Sequence, residues 1–317
     1  MHPDVLQHTA HFIALLGAFF IPSGVLGQAL SQTPLTIPMA YEHVLHSTVN
    51  GREYRISVAL PFSYDEGSPA DTTRYSVIDL LDGDMALPLV APMFRLTNQG
   101  PAGNVILVGV GYPPGADPGV PARSPTGVFY RLTDYTPPAY PPDDSANAAL
   151  LGEWPGAGRA PEFLRVLKEE VIPLIDSRYR TTNQRGIHGH SFGGLFAAYV
   201  LFEDPDLFTH YAITSPSLWW DNSSIFLREP AFARSRTSLP KKVYLSIGEN
   251  ESALMTAVMW RMVERLGAGI ENGHFTGLEL FAETVWDEEH ATSAAFNRAL
   301  RALYPPSPFL IIRARRE

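Results

Sequence analysis

Short apolar runs that alternate with longer amphipathic stretches are the main pattern along this chain. The short runs predict strands at 41–49, 52–60, 75–81, 104–110, 186–188, 211–215, 242–247 and 277–281. The longer stretches predict helices at 86–96, 160–179, 195–202, 254–266 and 291–303, with Pro173 expected to bend the second of them. Because strands and helices alternate, the pattern predicts an α/β protein with a mostly parallel, doubly wound sheet.

Two segments depart from this alternation. The first two predicted strands are joined by Asn50-Gly51, a dipeptide typical of tight hairpin turns, so we expect an antiparallel hairpin at the edge of the sheet. A proline-rich segment at 111–155 has little periodicity and predicts a long functional loop.

The first 29 residues have the layout of a secretory signal peptide. An apolar run at 12–21 is followed by small residues, and we expect cleavage near Gly27 or Ala29. The stretch contains no Lys or Arg, and the alternative is a loosely docked N-terminal extension. The apolar run is too short to span a membrane. We therefore expect residues 30–317 to form a single domain and the protein to be secreted or periplasmic.

Composition excludes several kinds of function. The net charge is −9 and no basic stripe is present, so nucleic acid is not an expected partner. The absence of cysteine excludes a disulfide framework, a thiolate metal site and a cysteine nucleophile. The acidic run 287–290 has no second histidine at ligand spacing, so we expect no metal and no cofactor.

Gly189-His-Ser-Phe-Gly193 fits the Gly-x-Ser-x-Gly pattern of a nucleophile turn. It follows a short apolar approach and precedes an apolar helix, which is the context that such a turn requires. The two glycines flank Ser191 where the strand and helix backbones come closest. We interpret Ser191 as a nucleophile, and the alternative is a serine that only shapes the turn.

A serine hydroxyl needs a base, and in such a sheet the chain order is serine, acid, histidine. Of the ten histidines, His290 follows the last predicted strand and precedes the last helix, so it is the expected general base. Glu249 and Glu251 both follow the strand at 242–247. We favour Glu251 as the acid, and Glu249 remains an alternative. Either glutamate would also suit a solvated position at a helix N-terminus.

A tetrahedral intermediate needs two hydrogen-bond donors for its oxyanion. The residue after the nucleophile supplies one backbone N–H, here that of Phe192. The loop after the strand at 75–81 supplies the other, and Gly83 allows a turn that aims the N–H of Asp84 inward. Asp-Gly is also a common turn dipeptide without any such role.

Six motifs, in this order, resemble the putative-esterase branch of the α/β-hydrolases, and within it the siderophore-esterase subgroup. They are Leu80-Leu-Asp-Gly-Asp84, Arg131-Leu-Thr-Asp-Tyr-Thr-Pro137, Gly189-His-Ser-Phe-Gly-Gly194, Ser215-Pro-Ser-Leu-Trp-Trp-Asp221, Ser246-Ile-Gly-Glu-Asn-Glu251 and Glu289-His290. Feruloyl esterases, S-formylglutathione hydrolases and mycolyltransferases are relatives of that branch. The resemblance implies the α/β-hydrolase fold, with the proline-rich loop over the site.

The same resemblance implies roles for single residues. Ser191 and His290 match the nucleophile and base, and Phe192 and Asp84 match the oxyanion donors. Glu251 stands where many relatives keep an acid, although some siderophore esterases work with a Ser-His dyad. Arg131 stands where the subgroup has an arginine able to meet an anionic ligand.

These residues together predict a serine hydrolase that cleaves small-molecule carboxylic esters, with siderophore trilactones or aryl esters as candidate substrates. Arg131, Tyr135, Trp219 and Trp220 are the expected substrate-binding residues, because aromatic faces and one cation suit an aryl or catecholate group. The two tryptophans would also suit the core. Acyl transfer to an alcohol needs the same catalytic residues. A non-catalytic binding protein on the same fold is the alternative from another class.

Overall fold

An eight-stranded sheet forms the centre of the protein in the computed structural model. The structure describes residues 35–65, 71–97, 104–115, 128–138, 156–290 and 293–304. The strands are β1 Ala40–His46, β2 Glu53–Ala59, β3 Tyr75–Leu81, β4 Val105–Gly111, β5 Thr181–His190, β6 His210–Thr214, β7 Lys242–Gly248 and β8 Glu279–Val285. They lie in the order β1-β2-β4-β3-β5-β6-β7-β8. The pairs β1-β2 and β2-β4 are antiparallel, and every other neighbouring pair is parallel.

Helices cover both faces of this sheet. The described helices are Gly83–Thr97, Val128–Tyr135, Ala160–Val166, Ile172–Arg178, Phe192–Glu203, Glu229–Arg234, Ala253–Glu271 and Ser293–Leu303, with short helical turns at Pro205–Leu207, Trp220–Ser223 and Ser224–Leu227. Successive strand side chains point to opposite faces, so Val77 and Ile78 belong to different cores. Ile78 packs with the helices Gly83–Thr97 and Ser293–Leu303. Val77 belongs to the larger core on the other face.

Pro173 lies inside a helical stretch without ending it. The chain passes from helix Ala160–Val166 through a π-helical turn, Leu167–Val171, into helix Ile172–Arg178. In that turn the amide of Ile172 donates to the carbonyl of Leu167, five residues back. A proline has no N–H and clashes with the preceding turn, and the wider π turn accommodates both effects.

The predicted alternation, the parallel sheet and the antiparallel N-terminal hairpin are confirmed. Two predictions of extent were wrong. The strand before the nucleophile turn is longer than 186–188, because polar residues begin β5 at Thr181. Within the proline-rich segment, Val128–Tyr135 is a helix. The remainder of the predicted loop, residues 116–127 and 139–155, lies outside the described residues.

The predicted leader, 1–29, also lies outside the described residues. From Ile37 onward the chain forms one compact unit. Among the residues that the structure describes, none of the helices has the length and apolar character needed to cross a bilayer.

Candidate active site

Four parallel strands bring the predicted chemistry to one edge of the sheet. β5, β6, β7 and β8 are consecutive neighbours that run in the same direction, so their carboxyl ends meet. Ser191 follows β5, Glu251 lies just beyond β7, and His290 lies beyond β8. Residues far apart in the chain are thereby brought together by the order of the strands alone.

Ser191 lies in a strained turn between β5 and the helix Phe192–Glu203. Its φ is 60° and its ψ is −118°, a backbone conformation that L-residues rarely adopt. A Cβ added at Gly189 would lie 2.0 Å from the carbonyl oxygen of Gly193, so no larger residue fits there. The turn therefore needs Gly189, and it presents the serine at the start of a helix.

Ser191, His290 and Glu251 form one line of hydrogen bonds. The Oγ of Ser191 lies 3.0 Å from Nε2 of His290, and Nδ1 of His290 lies 2.8 Å from Oε2 of Glu251. With Nδ1 protonated, the carboxylate accepts that proton's hydrogen bond and leaves Nε2 free to accept from the serine. This geometry is suited to activating a hydroxyl as a nucleophile.

Glu251 is held in its ionised form. Burial raises the pKa of this carboxyl, but hydrogen bonds from His290, the Ser215 hydroxyl and the Gly248 amide outweigh it, so the pKa is lowered overall. The Ser215 hydroxyl donates at 2.5 Å and the Gly248 amide at 3.1 Å, both to Oε1. Glu249, the alternative acid, is exposed and accepts instead from the Asp287 amide at 2.9 Å. Of the two glutamates, only Glu251 reaches the imidazole.

His190 packs directly against the candidate base. The ring centroids of His190 and His290 are 4.8 Å apart, and Nδ1 of His190 lies 3.3 Å from Oγ1 of Thr214. Burial, together with the nearby charges of His290 and Arg131, lowers the pKa of His190 to about 4. His190 is therefore neutral at physiological pH and adds no second positive charge beside an imidazolium.

The two predicted oxyanion donors lie at helix starts. Phe192 and Asp84 each belong to the first turn of a helix, where amides have no intrahelical acceptor. The carboxylate of Asp84 points elsewhere, accepting from the Tyr112 amide at 2.8 Å and pairing with Arg55 at 2.5 Å. The predicted oxyanion role of Asp84 thus uses its backbone amide, whereas its side chain binds Tyr112 and Arg55.

A cleft of about 730 Å³ opens at the serine. Its lining residues are Ser191, Phe192, Ser217, Trp219, Asn250, Glu251, Ser252, Leu254, Met255, Glu289 and His290. Within this described lining the ionisable side chains are those of Glu251, Glu289 and His290. Trp219 is the one predicted substrate-binding residue among them.

The other three predicted substrate-binding residues lie away from this lining. Trp220 is buried, 5% exposed, with its ring 5.4 Å from that of Phe192. Tyr135 is completely buried, and its hydroxyl accepts from the Asp82 amide at 2.9 Å. Arg131 is paired with Asp82 at 2.6 Å. The structure therefore does not bring these three side chains into the cleft lining, and each makes contacts elsewhere within the protein.

Three neighbours of the line were not predicted from the sequence. Ser215 supports the carboxylate, His190 packs on the base, and the Ser217 hydroxyl lies 3.3 Å from that of Ser191. Both serines belong to a motif, Ser215-Pro-Ser217, at the end of β6. A hydroxyl pair after a buried strand next to the nucleophile strand is the signal that points to them.

In the described part of the chain, no group of three or more metal-binding side chains comes together.

Comparisons with known proteins show which proteins this chain is similar to. Residues 140–266 match the family model described as Putative esterase. The ferri-bacillibactin esterase BesA of Bacillus subtilis is 29% identical over 293 residues, or 87% of this chain and 93% of the relative. A siderophore enterobactin esterase of Emericella nidulans is 29% identical over 208 residues, or 62% of this chain and 65% of the relative. Among solved structures, the BES protein of Bacillus cereus has a TM-score of 0.71 at 25% identity, covering 87% of this chain and 98% of that one.

The sheet, the strand-end site and these relatives define the class: the chain is an α/β-hydrolase. Within that class it is a carboxylic ester hydrolase that is similar to the siderophore esterases and matches the putative-esterase family model over residues 140–266.

Proposed function

We propose that this protein hydrolyses the ester bonds of a siderophore through an acyl-enzyme on Ser191. His290 is the general base and Glu251 is the acid that orients it. The observation that carries the proposal is the continuous line from the Ser191 hydroxyl through the imidazole to the buried Glu251 carboxylate, at 3.0 Å and 2.8 Å.

In the first half-reaction Nε2 of His290 takes the proton of the Ser191 hydroxyl as Oγ bonds to the ester carbonyl carbon. Negative charge then develops on the carbonyl oxygen, where the amides of Phe192 and Asp84 donate to it. The carbonyl re-forms as the ester C–O bond breaks, and His290 returns its proton to the departing alcohol oxygen. Glu251 stabilises the imidazolium throughout by its charge and its hydrogen bond to Nδ1.

In the second half-reaction water hydrolyses the acyl-enzyme, again with His290 as the base. His290 takes a proton from the water as its oxygen attacks the acyl carbon. The bond to Ser191 Oγ then breaks, and the serine regains its proton from the imidazolium. The products are a carboxylic acid and the free enzyme, and no cofactor enters either half.

The substrate proposal draws on the relatives' names and on the cleft. Those relatives act on bacillibactin and enterobactin siderophores, and a triacetylfusarinine C esterase of Aspergillus fumigatus is 29% identical over 213 residues. The cleft offers the apolar side chains of Phe192, Trp219, Leu254 and Met255 beside the serine. Such a wall suits a bulky ester better than acetate. We also propose export, with residues 1–29 as the leader, and detection of the shortened protein outside the cell tests it.

A fluorophosphonate probe tests the nucleophile. The wild-type protein is expected to form a covalent adduct, and Ser191→Ala is expected to form none and to lose about 10⁶-fold in kcat. Ser217→Ala is the matched control, because its hydroxyl lies beside Ser191 yet is not on the line to His290; it should still take the label. A labelled Ser191→Ala variant would refute the assignment.

The substrate class is tested separately by mass spectrometry of products. A trilactone siderophore, a hydroxamate ester siderophore and p-nitrophenyl acetate are compared at equal concentration. We expect kcat/KM to be highest for a siderophore ester. Efficient cleavage of p-nitrophenyl acetate alone would support esterase activity and would contradict the proposal that the substrate is a siderophore.

A further inference from the structure

The hydroxyl of Ser217 contacts the proposed nucleophile. Its Oγ lies 3.3 Å from Oγ of Ser191, and the residue is buried, with 2% of its surface exposed. Among the described residues, the Ser191 hydroxyl is the hydrogen-bond partner of the Ser217 hydroxyl. Because Ser217 is buried, little water competes for this contact.

The protons of the site assign the direction of this hydrogen bond. The carboxyl of Glu251 has a lowered pKa and is ionised, so it accepts the proton on Nδ1 of His290 at 2.8 Å. Nε2 of His290 then has a lone pair and accepts the single proton of the Ser191 hydroxyl at 3.0 Å. Since that proton is directed at the imidazole, the 3.3 Å contact uses the proton of Ser217, which donates to Oγ of Ser191.

This arrangement leaves the nucleophile able to react. A hydroxyl oxygen has two lone pairs, and the bond from Ser217 uses one of them, so the other remains free to bond to the ester carbonyl carbon. As Nε2 takes the proton, negative charge develops on Oγ of Ser191, and a donor already in place stabilises it. The predicted oxyanion donors, Phe192 and Asp84, serve a different atom, the carbonyl oxygen of the ester.

The segment that carries Ser217 is bonded to the nucleophile turn through its backbone. The Ser217 amide donates to the Ser191 carbonyl at 2.9 Å, and the Ser191 amide donates to the Thr214 carbonyl at 3.1 Å. A Cβ added at Gly194 would lie 3.0 Å from the Cα of Pro216, so the segment is packed against the start of the helix that follows the nucleophile. The backbone therefore holds the two hydroxyls side by side.

The same tripeptide, Ser215-Pro-Ser217, also contacts the acid. The Ser215 hydroxyl donates to Oε1 of Glu251 at 2.5 Å, and its φ of 43° is left-handed, a conformation that a non-glycine residue adopts at a cost. Its amide donates to the Ser246 carbonyl at 2.8 Å. One short segment after β6 thus donates hydroxyl protons to the acid and to the nucleophile.

We propose that Ser217 is a further catalytic residue, whose hydroxyl donates to Oγ of Ser191 when that oxygen attacks the ester and again when it leaves the acyl-enzyme. The inference rests on the proposed function of Ser191 and His290. In the attack the proton of Ser191 passes to His290, and Ser217 keeps its own proton. In the release the bond between the acyl carbon and Oγ breaks, its electron pair stays on Oγ, and the imidazolium returns a proton to that oxygen.

Ser217→Ala tests the proposal, since it removes the hydroxyl and keeps the backbone bond to Ser191. We expect kcat to fall roughly 10-fold, as for the loss of one hydrogen bond to a group that becomes charged. The rate of labelling by a fluorophosphonate should fall by a similar factor, although labelling still goes to completion. KM should change less than kcat, because the hydroxyl acts on the nucleophile and not on the bound ester.

A double-mutant cycle provides a readout that a loss of packing would not move. In the Ser191→Cys background the nucleophile is a sulfur atom, which is a weak hydrogen-bond acceptor. Ser217→Ala should slow the p-nitrophenol burst from p-nitrophenyl butyrate roughly 10-fold with serine as the nucleophile, and less than about 2-fold with cysteine. Equal factors in the two backgrounds would overturn the proposal.

Folding is separated from catalysis by counting active sites. Each variant that retains Ser191 is titrated to completion with a fluorophosphonate, and kcat is expressed per labelled site; the burst amplitude counts the sites of the cysteine variants. Ser246→Ala is the matched control and should keep the wild-type rate, because Ser246 in β7 is also buried and its hydroxyl is not a partner of Ser191.

Two further outcomes would overturn the proposal. One is a kcat per labelled site in Ser217→Ala equal to that of wild type. The other is a loss confined to KM, which would make Ser217 a substrate contact. Failure of the proposed function would appear differently, as Ser191→Ala retaining activity.

Discussion

Two segments with acidic side chains lie at the same edge of the sheet. They differ in their partners: the acidic side chains of one are paired with arginines, and that of the other is paired with a histidine. The segment after β3 carries Asp82 and, in the first turn of the following helix, Asp84; they are paired with Arg131 and Arg55, respectively. The loop after β7 carries Glu251, whose partner is His290, a side chain that is charged only when it is protonated. Arginine keeps its charge at every accessible pH, whereas a histidine changes its charge near neutrality.

The difference shows why a carboxylate near a serine is not by itself a catalytic acid. Burial raises the pKa of Asp82 and of Asp84, and their arginines only partly oppose that effect. Burial also raises the pKa of Glu251, but its three hydrogen bonds outweigh burial and lower the pKa overall. The first loop uses its charges to hold backbone in place, and the second presents its charge to a group that must become cationic during the reaction.

The largest expected effect that follows from this comparison is on catalysis. Glu251→Gln should lower kcat by roughly 10⁴-fold, because the imidazole loses both its orientation and its counter-charge. Glu249→Gln is the matched control two residues earlier and should change kcat little, since Glu249 accepts only from the Asp287 amide. Steady-state rates on one ester measure both. Two mild effects would indicate a Ser191-His290 dyad instead.

The next effect is on stability. Asp84→Ala should lower the free energy of unfolding by about 3 kcal/mol, because it leaves the Tyr112 amide without its acceptor and leaves the Arg55 guanidinium with only the exposed carboxylate of Glu42. Glu42→Ala is the control, since Glu42 pairs with the same arginine at 3.5 Å but is 54% exposed. An exposed pair contributes about 1 kcal/mol at most. Denaturant unfolding measures the free energy of unfolding of both variants. Equal losses of stability in Asp84→Ala and Glu42→Ala would contradict this prediction.

A smaller effect concerns the dependence of stability on pH. The contributions of Glu251 and Asp82 to the free energy of unfolding should change in opposite directions as the pH rises. The pKa of Glu251 is lowered, so its contribution to stability is present above its ordinary value of 4.5 and is lost as the pH falls through the folded pKa. The pKa of Asp82 is raised, so its ionisation opposes folding increasingly as the pH rises above 3.8.

Unfolding of wild type, Glu251→Gln and Asp82→Asn between about pH 3 and pH 6 tests these signs. The advantage of wild type over Glu251→Gln should shrink as the pH falls. Its advantage over Asp82→Asn should shrink as the pH rises. Parallel slopes for the two variants would show that the loops do not differ in this way.

The smallest expected effect is on substrate charge. The described lining of the cleft contains Glu251 and Glu289 and no lysine or arginine. A negative charge on the ester about 8 Å from an exposed carboxylate should cost about 2-fold in kcat/KM in water. Glu289→Gln should recover that factor for the p-nitrophenyl ester of succinate, which carries a negative charge, and leave the rate with neutral p-nitrophenyl butyrate unchanged. Glu279→Gln, at the opposite end of β8, is the control. A preference for the anionic ester would contradict this expectation.

Sequence patterns were sufficient for residues whose position follows from strand order. Ser191, Glu251 and His290 each follow a predicted strand, and consecutive parallel strands end at one edge, so their approach could be predicted without coordinates. The position of Arg131 could not be predicted from the order of the strands. It depends on an eight-residue helix inside a proline-rich segment, and on which side of that helix faces Asp82. Tyr135 was misplaced for the same reason, because the sequence does not reveal that its ring is buried.

The carboxyl ends of β7 and β8 are joined through their backbones. The amide of Asn250 donates to the Glu288 carbonyl at 2.9 Å, and that of Glu249 donates to Val285 at 3.0 Å. A Cβ at Gly248 would lie 2.5 Å from the Glu288 carbonyl oxygen, so the two loops touch with no side chain between them. Because the loop of Glu251 and the loop of His290 are bonded to each other, a change that displaces either loop is expected to displace the acid and the base together.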